Sequence, residues 1–228
     1  MRLFGPVHVT LLAGIALLAI SLAWLSRKTP EARRWLRLAL GWGLVINELV
    51  WWRFRYAHEG IHRWNLPLQL CDVTLWASAL GCLTLVPAIV ELAYFAGLAG
   101  AGMALLTPDL WSPWPTYPAI YFFLAHGGIV VAVVVLVFGR ICPLRQGAVW
   151  RAYALLLGYF VLAGLFNKFY GTNYMYLCTK PKNASLLNLL GPWPWYLVPA
   201  AALAWGLFWL LWLPARPGNT PARYPAAT

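Results

Sequence analysis

The sequence predicts an all-α protein, a polytopic bundle of about seven membrane-spanning helices. Three observations carry that prediction. Of the 228 residues, 62% are hydrophobic and only 10% charged, where a soluble domain carries about 25% charged residues. The mean hydropathy is +0.67, too high for a surface that faces water. The apolar residues also gather into stretches of about 20, the length a helix needs to cross the hydrocarbon layer. A soluble or disordered chain is excluded.

Seven such stretches follow in order: 6–25, 35–56, 67–86, 87–106, 117–138, 149–169 and 195–213. Pro6, Pro67, Pro87 and Pro118 stand near their starts, where a helix tolerates proline because the missing N–H would have no partner there. The first stretch has no convincing small-residue cleavage site, and Arg27, Lys28, Arg33, Arg34 and Arg37 follow it. It therefore reads as a span rather than a leader. The basic cluster is expected to stay in the cytoplasm of a bacterial inner membrane, with the N-terminus outside and the C-terminus inside. Arg140, Arg145, Arg151, Arg216 and Arg223 fall on that same side, and Arg53, Arg55, Arg63, Lys168, Lys180 and Lys182 on the other. Residues 1–213 form one transmembrane domain, and the Pro- and Ala-rich 214–228 is expected to be a disordered cytoplasmic tail. The loop 171–194, with Tyr174, Tyr176 and Trp193, suits the membrane interface. The net charge of +11 is spread between apolar runs, which fits anionic headgroups and not nucleic acid.

Polar groups inside spans mark what the bilayer should not tolerate. They are Asn47 and Glu48, then Gln69, Cys71, Asp72 and Thr74, then Glu91, His126, Asn167 and Lys168. Interhelical hydrogen bonds of about 0.6–2 kcal/mol would explain any one of them. Under the expected topology, however, most share one level near the outer side, with Glu91 alone near the inner face. A shared level points to a site.

Cys71 follows Pro67 closely, so the thiol lies in the first turns of a helix, where the dipole favours a thiolate. Burial and Asp72 oppose that effect. Thr74 and Ser78 share the helical face of Cys71. The four cysteines form no CxxC pair; Cys82 and Cys142 read as filler, and Cys178 could pair with Cys71 in an oxidising compartment. His126 is the only histidine read as lying deep in a helix, about 14 Å along it, and a thiol with an imidazole is the pairing of acyl transfer. The run His58-Glu59-Gly60-Ile61-His62 fits H-E-x-x-H, a zinc motif when both histidines lie on one helical face. Gly60 weakens that helix, so no metal is assigned, and no cofactor is called for.

Several blocks of the sequence match a known family. They are 66–72, 91–100, 106–110, 122–127, 171–177 and 190–196. Across residues 35–215 the chain resembles the YwaF-like bacterial integral membrane proteins. That family is similar to a eukaryotic transmembrane acyltransferase that moves polyunsaturated chains onto ether lysophospholipids through a cysteine. More distantly, it is similar to the androgen-induced membrane hydrolases. The resemblance implies a phospholipid acyltransferase or transacylase with Cys71 as nucleophile and His126 as base, acting on phospholipid and lysophospholipid. Gln69 is the expected oxyanion donor, and Asp72 or Glu48 the group that orients the imidazole. Glu48, Asn167, Lys168, Asn173, Tyr174, Lys180 and Lys182 are expected to hold substrate, the lysines through a headgroup phosphate. Two alternatives stand beside this reading: a proton-coupled carrier using Glu48, Asp72, Glu91 and His126, and a lipid hydrolase.

Overall fold

Proline opens four of the helices and arginine closes several of them. The computed structural model describes residues 1–110, 112–181 and 186–217, and these contain helices and turns but no strand. We number the long helices α1 (Pro6–Lys28), α2 (Pro30–Glu59), α3 (Leu70–Thr84), α4 (Pro87–Leu106), α5 (Tyr117–Phe138), α6 (Ala148–Tyr170) and α7 (Leu197–Ala215). Pro6, Pro30 and Pro87 begin α1, α2 and α4, and Pro118 is the second residue of α5. Within α4, Ala93–Gly97 form one π turn whose five residues are all buried.

Five of the seven, α1, α4, α5, α6 and α7, are long and apolar enough to cross a membrane. The expected third span of 67–86 shortens to the 15 residues of α3. Pro67 does not open it. Gln69 is the N-cap instead, and its backbone N–H donates to Asp72 Oδ2 at 2.9 Å, a reciprocal arrangement that starts a helix firmly. α2 begins at Pro30 rather than 35, so its first turns carry Arg33, Arg34 and Arg37 and lower its apolar character. α7 ends at Ala215, two residues past the expected boundary; positions 218–228 of the expected tail lie outside the described residues.

α5 is the axis of the bundle and α7 its periphery: 72% of the most apolar window of α5 is buried, against 6% for α7. Gly127 and Gly128 make the central position of α5 possible. A Cβ on Gly127 would meet Ile15 of α1 at 2.8 Å, and one on Gly128 would meet Leu44 of α2 at the same distance. These glycines therefore serve helix contact. α7 is tied on by hydroxyls, Tyr94 donating to the Leu211 carbonyl at 2.9 Å and Tyr153 to the Ala201 carbonyl at 3.0 Å.

The end holding the start of α2 is closed by arginine. Arg37 donates to the carbonyls of Cys82 and Leu83 at 2.8 and 2.9 Å, Arg33 to that of Ser26 at 2.9 Å, and Arg27 to that of Phe138. The last carbonyls of α1, α3 and α5, orphaned by helix geometry, thus gain charged donors. Buried Glu91 completes this end. Arg145 and Arg151 each grip its carboxylate with two bonds of 2.8–3.0 Å.

Candidate active site

Because α3 is short, its first turn lies well below the opposite end of the bundle. Cys71 is 13 residues from Thr84 and His126 is 12 from Phe138, which places them about 20 and 18 Å from the basic end at 1.5 Å per residue. Both line one cavity of about 520 Å3. Its polar wall comprises Arg55 and Glu59 of α2, Gln69, Cys71 and Asp72 at the start of α3, and Thr107 and Asp109 after α4. The apolar wall includes Trp51, Leu75, Phe122 and Ile129. Tyr176 joins it from the loop that follows α6.

His126 is nearly buried, and its Nδ1 lies 2.7 Å from the carbonyl oxygen of Phe122, one turn back in α5. A carbonyl can only accept, so Nδ1 carries a proton and, in the neutral ring, Nε2 keeps its lone pair. That carbonyl holds the ring, the role expected of Asp72 or Glu48. Asp72 lines the cavity but spends one oxygen on the Gln69 N–H. Glu48 is fully buried and accepts the Tyr121 hydroxyl at 2.6 Å. It touches the cavity only through that tyrosine, whose ring stacks on Trp51 at 4.2 Å between centroids. Asn47 Nδ2 is buried without a hydrogen-bond partner.

The remaining residues expected at the site build its roof. Gln69 Oε1 accepts the Met175 N–H at 2.9 Å, so this oxygen pins the loop after α6 to the start of α3. Asn167 is buried, donates to the Tyr174 carbonyl, and accepts from the Tyr174 N–H and the Thr172 hydroxyl. Asn173 binds both polar groups of Thr179 and accepts the N–H groups of Cys178 and Thr179. Tyr174 donates its hydroxyl to the Arg63 carbonyl and accepts the Leu66 N–H. All three side chains are committed to the loop rather than to the cavity. Lys168 is exposed and Lys180 sits over the Tyr196 ring at 5.4 Å. Neither lines the cavity. Lys182 lies outside the described residues.

Sequence reasoning missed Arg55 and Tyr121 as cavity residues. Arg55 was legible as a basic residue one turn before the end of α2, while nothing in the sequence marked Tyr121. It also missed a second buried histidine. His8 accepts the Phe4 N–H at 3.0 Å and donates Nε2–H to the Leu105 carbonyl at 2.7 Å, fixing the start of α1 to the end of α4. The four cysteines are free thiols, so Cys71 is not joined to Cys178. The H-E-x-x-H run is split by the end of α2: Glu59 is its last residue, Gly60 turns with φ +73°, and His62 stacks on Trp64 outside the helix. The two histidines share no helical face, and no cluster of three metal-binding side chains forms among the described residues.

No curated protein and no solved structure matches the chain. A family model does match it, from residue 3 to residue 212, and the name that model carries is not that of the bacterial YwaF-like grouping expected from the sequence. With more than nine-tenths of the chain inside that match, and with spans and a buried polar core to accompany it, the chain belongs to the TMEM164 family of transmembrane proteins.

Proposed function

We propose that the protein is a phospholipid acyltransferase that works through a thioester on Cys71, with His126 as general base. The observation that carries this reading is the shared cavity. A free thiol and an imidazole with an open Nε2, from two different helices, line one space of about 520 Å3. That volume lies in the range of small-ligand sites.

In the first half-reaction Nε2 of His126 takes the proton of Cys71, and the sulfur attacks the carbonyl carbon of a donor phospholipid ester. The C–O bond breaks, the lysolipid oxygen leaves with the proton from His126, and the acyl group stays on sulfur. In the second, His126 takes the proton of an acceptor lysophospholipid hydroxyl, whose oxygen attacks the thioester and returns the thiol. The N–H groups of Leu70 and Cys71, orphaned at the start of α3, are better placed as oxyanion donors than the Gln69 side chain. The apolar wall of Trp51, Leu75, Phe122 and Ile129 disfavours water as the acceptor. Arg55, Glu59 and Asp109 meet the polar headgroup at the mouth. On this reading the basic end faces the cytoplasm of a bacterial cell membrane and the mouth faces out.

The carrier reading loses its inner station, because Glu91 is gripped by two arginines. The test is intact-protein mass after incubation with phospholipid vesicles. A hydroxylamine-labile acyl adduct is expected on the wild type and none on Cys71→Ala. Acyl chains should end on added lysophospholipid; release as free fatty acid would make the protein a hydrolase. An equal adduct on Cys71→Ala, or none on the wild type with vesicle proton flux present, overturns the proposal.

A further inference from the structure

The cavity has a floor, and the floor is narrow. Past Cys71 the lining reaches only Leu75, one turn deeper on α3, and past His126 only Ile129, one turn deeper on α5. These two side chains are 1% and 0% exposed, so the space beneath the thiol is about one helical turn, on the order of 5 Å. Below them α3, α4 and α5 close on one another at Gly97, the last residue of the π turn. A Cβ there would stand 2.9 Å from Ile129 Cγ2, with Thr74 Cβ at 3.8 Å and Ser78 Oγ at 4.0 Å. The hydroxyls of Thr74 and Ser78 are bonded to carbonyls of their own helix, Cys71 and Thr74 respectively. The floor is thus tightly packed where Ile129 meets Gly97. The π turn inserts an extra residue into α4 and so re-aims the helix, which brings its one side-chain-free position directly behind Ile129.

We infer that Ile129, backed by Gly97, sets how far an acyl chain enters the bundle and so selects the length of the chain that is bound and transferred. This rests on the acyltransferase reading for the transfer step, but the binding step stands without it. An ester carbonyl at the level of Cys71 leaves room for only a few carbons on the floor side. One methylene too many meets a packed wall, a mismatch that costs about tenfold or more in discrimination. Removing side-chain volume at Ile129 deepens the cavity, whereas adding a methyl at Gly97 drives Ile129 upward into it.

The experiment uses vesicles with equal amounts of short-, medium- and long-chain phosphatidylcholine. Chain lengths are read by mass spectrometry twice, as lipid retained by the purified protein in a Cys71→Ala background and as the acyl adduct on Cys71 itself. Ile129→Ala is expected to enrich the longest chains by about tenfold, and Ile129→Val by less. Gly97→Ala is expected to shift both profiles towards the shortest. Ile129→Val keeps the test decisive if Gly97→Ala fails to fold. Unchanged length profiles in folded Ile129→Ala and Ile129→Val overturn the inference even where the wild-type adduct forms. A shifted profile of retained lipid with no adduct on any variant upholds the floor and defeats the thioester chemistry instead.

Discussion

The two ends of the bundle solve opposite problems with the same kinds of residue. At the basic end the buried charge is matched: Glu91 receives four short charged hydrogen bonds, and arginines donate to the last carbonyls of α1, α3 and α5. The two free thiols there, Cys82 and Cys142, are sealed in the core at 0% and 2% exposure. In the half that holds the cavity, Cys71 is a free thiol, Nε2 of His126 is open, and Asn47 Nδ2 is buried without a partner. Buried polar groups left unmatched cost stability. The difference teaches where to look. Charge density alone points at the other end.

Substitutions can break this contrast. The largest effect is expected from Cys71→Ala, which should abolish acyl transfer, measured with labelled phospholipid, while shifting unfolding in detergent by less than about 1 kcal/mol. His126→Ala should lower the transfer rate by about 10²–10⁴-fold, read from initial rates with folding checked by circular dichroism. At the other end Glu91→Ala should destabilise by about 3 kcal/mol, the lower part of the range for a broken buried pair because its arginines are partly exposed. A comparable stability loss in Cys71→Ala would remove the distinction between the ends. Asn167→Ala should cost about 2 kcal/mol and speed hydrogen exchange in residues 171–177, since it strips the loop of three hydrogen bonds. Lys168→Ala should change stability by less than about 0.5 kcal/mol and leave transfer intact.

The spans were legible because lipid imposes a length on them, and α4, α5 and α6 fall within a residue of their expected bounds. The short α3 was not. Hydropathy reads through Pro67 and Leu68 as though they were helical, whereas the Gln69–Asp72 cap places the start at Leu70. Cys71 and His126 were legible for the same reason, since reactive polar side chains stand out in an apolar run. The supporting residues were misread because a hydrogen bond to a distant backbone leaves no local mark. Asn167 and Asn173 look like ligand-binding residues until Tyr174 and Thr179 are seen against them. Tyr121 escaped for the converse reason, as one aromatic among many until Glu48 met its hydroxyl.

The late start of α3 has a mechanical consequence for any lipid that visits. Irregular backbone at such depth survives only where protein or water covers it, and here residues 61–69 and 171–177 supply that cover. A glycerolipid carries its ester bonds where headgroups give way to tails. On the proposed reading such a molecule needs to sink on the order of 10 Å, less than half the hydrocarbon thickness, before its carbonyl meets sulfur. It can do so with its head still wetted, which turns an otherwise forbidding plunge into a shallow dip.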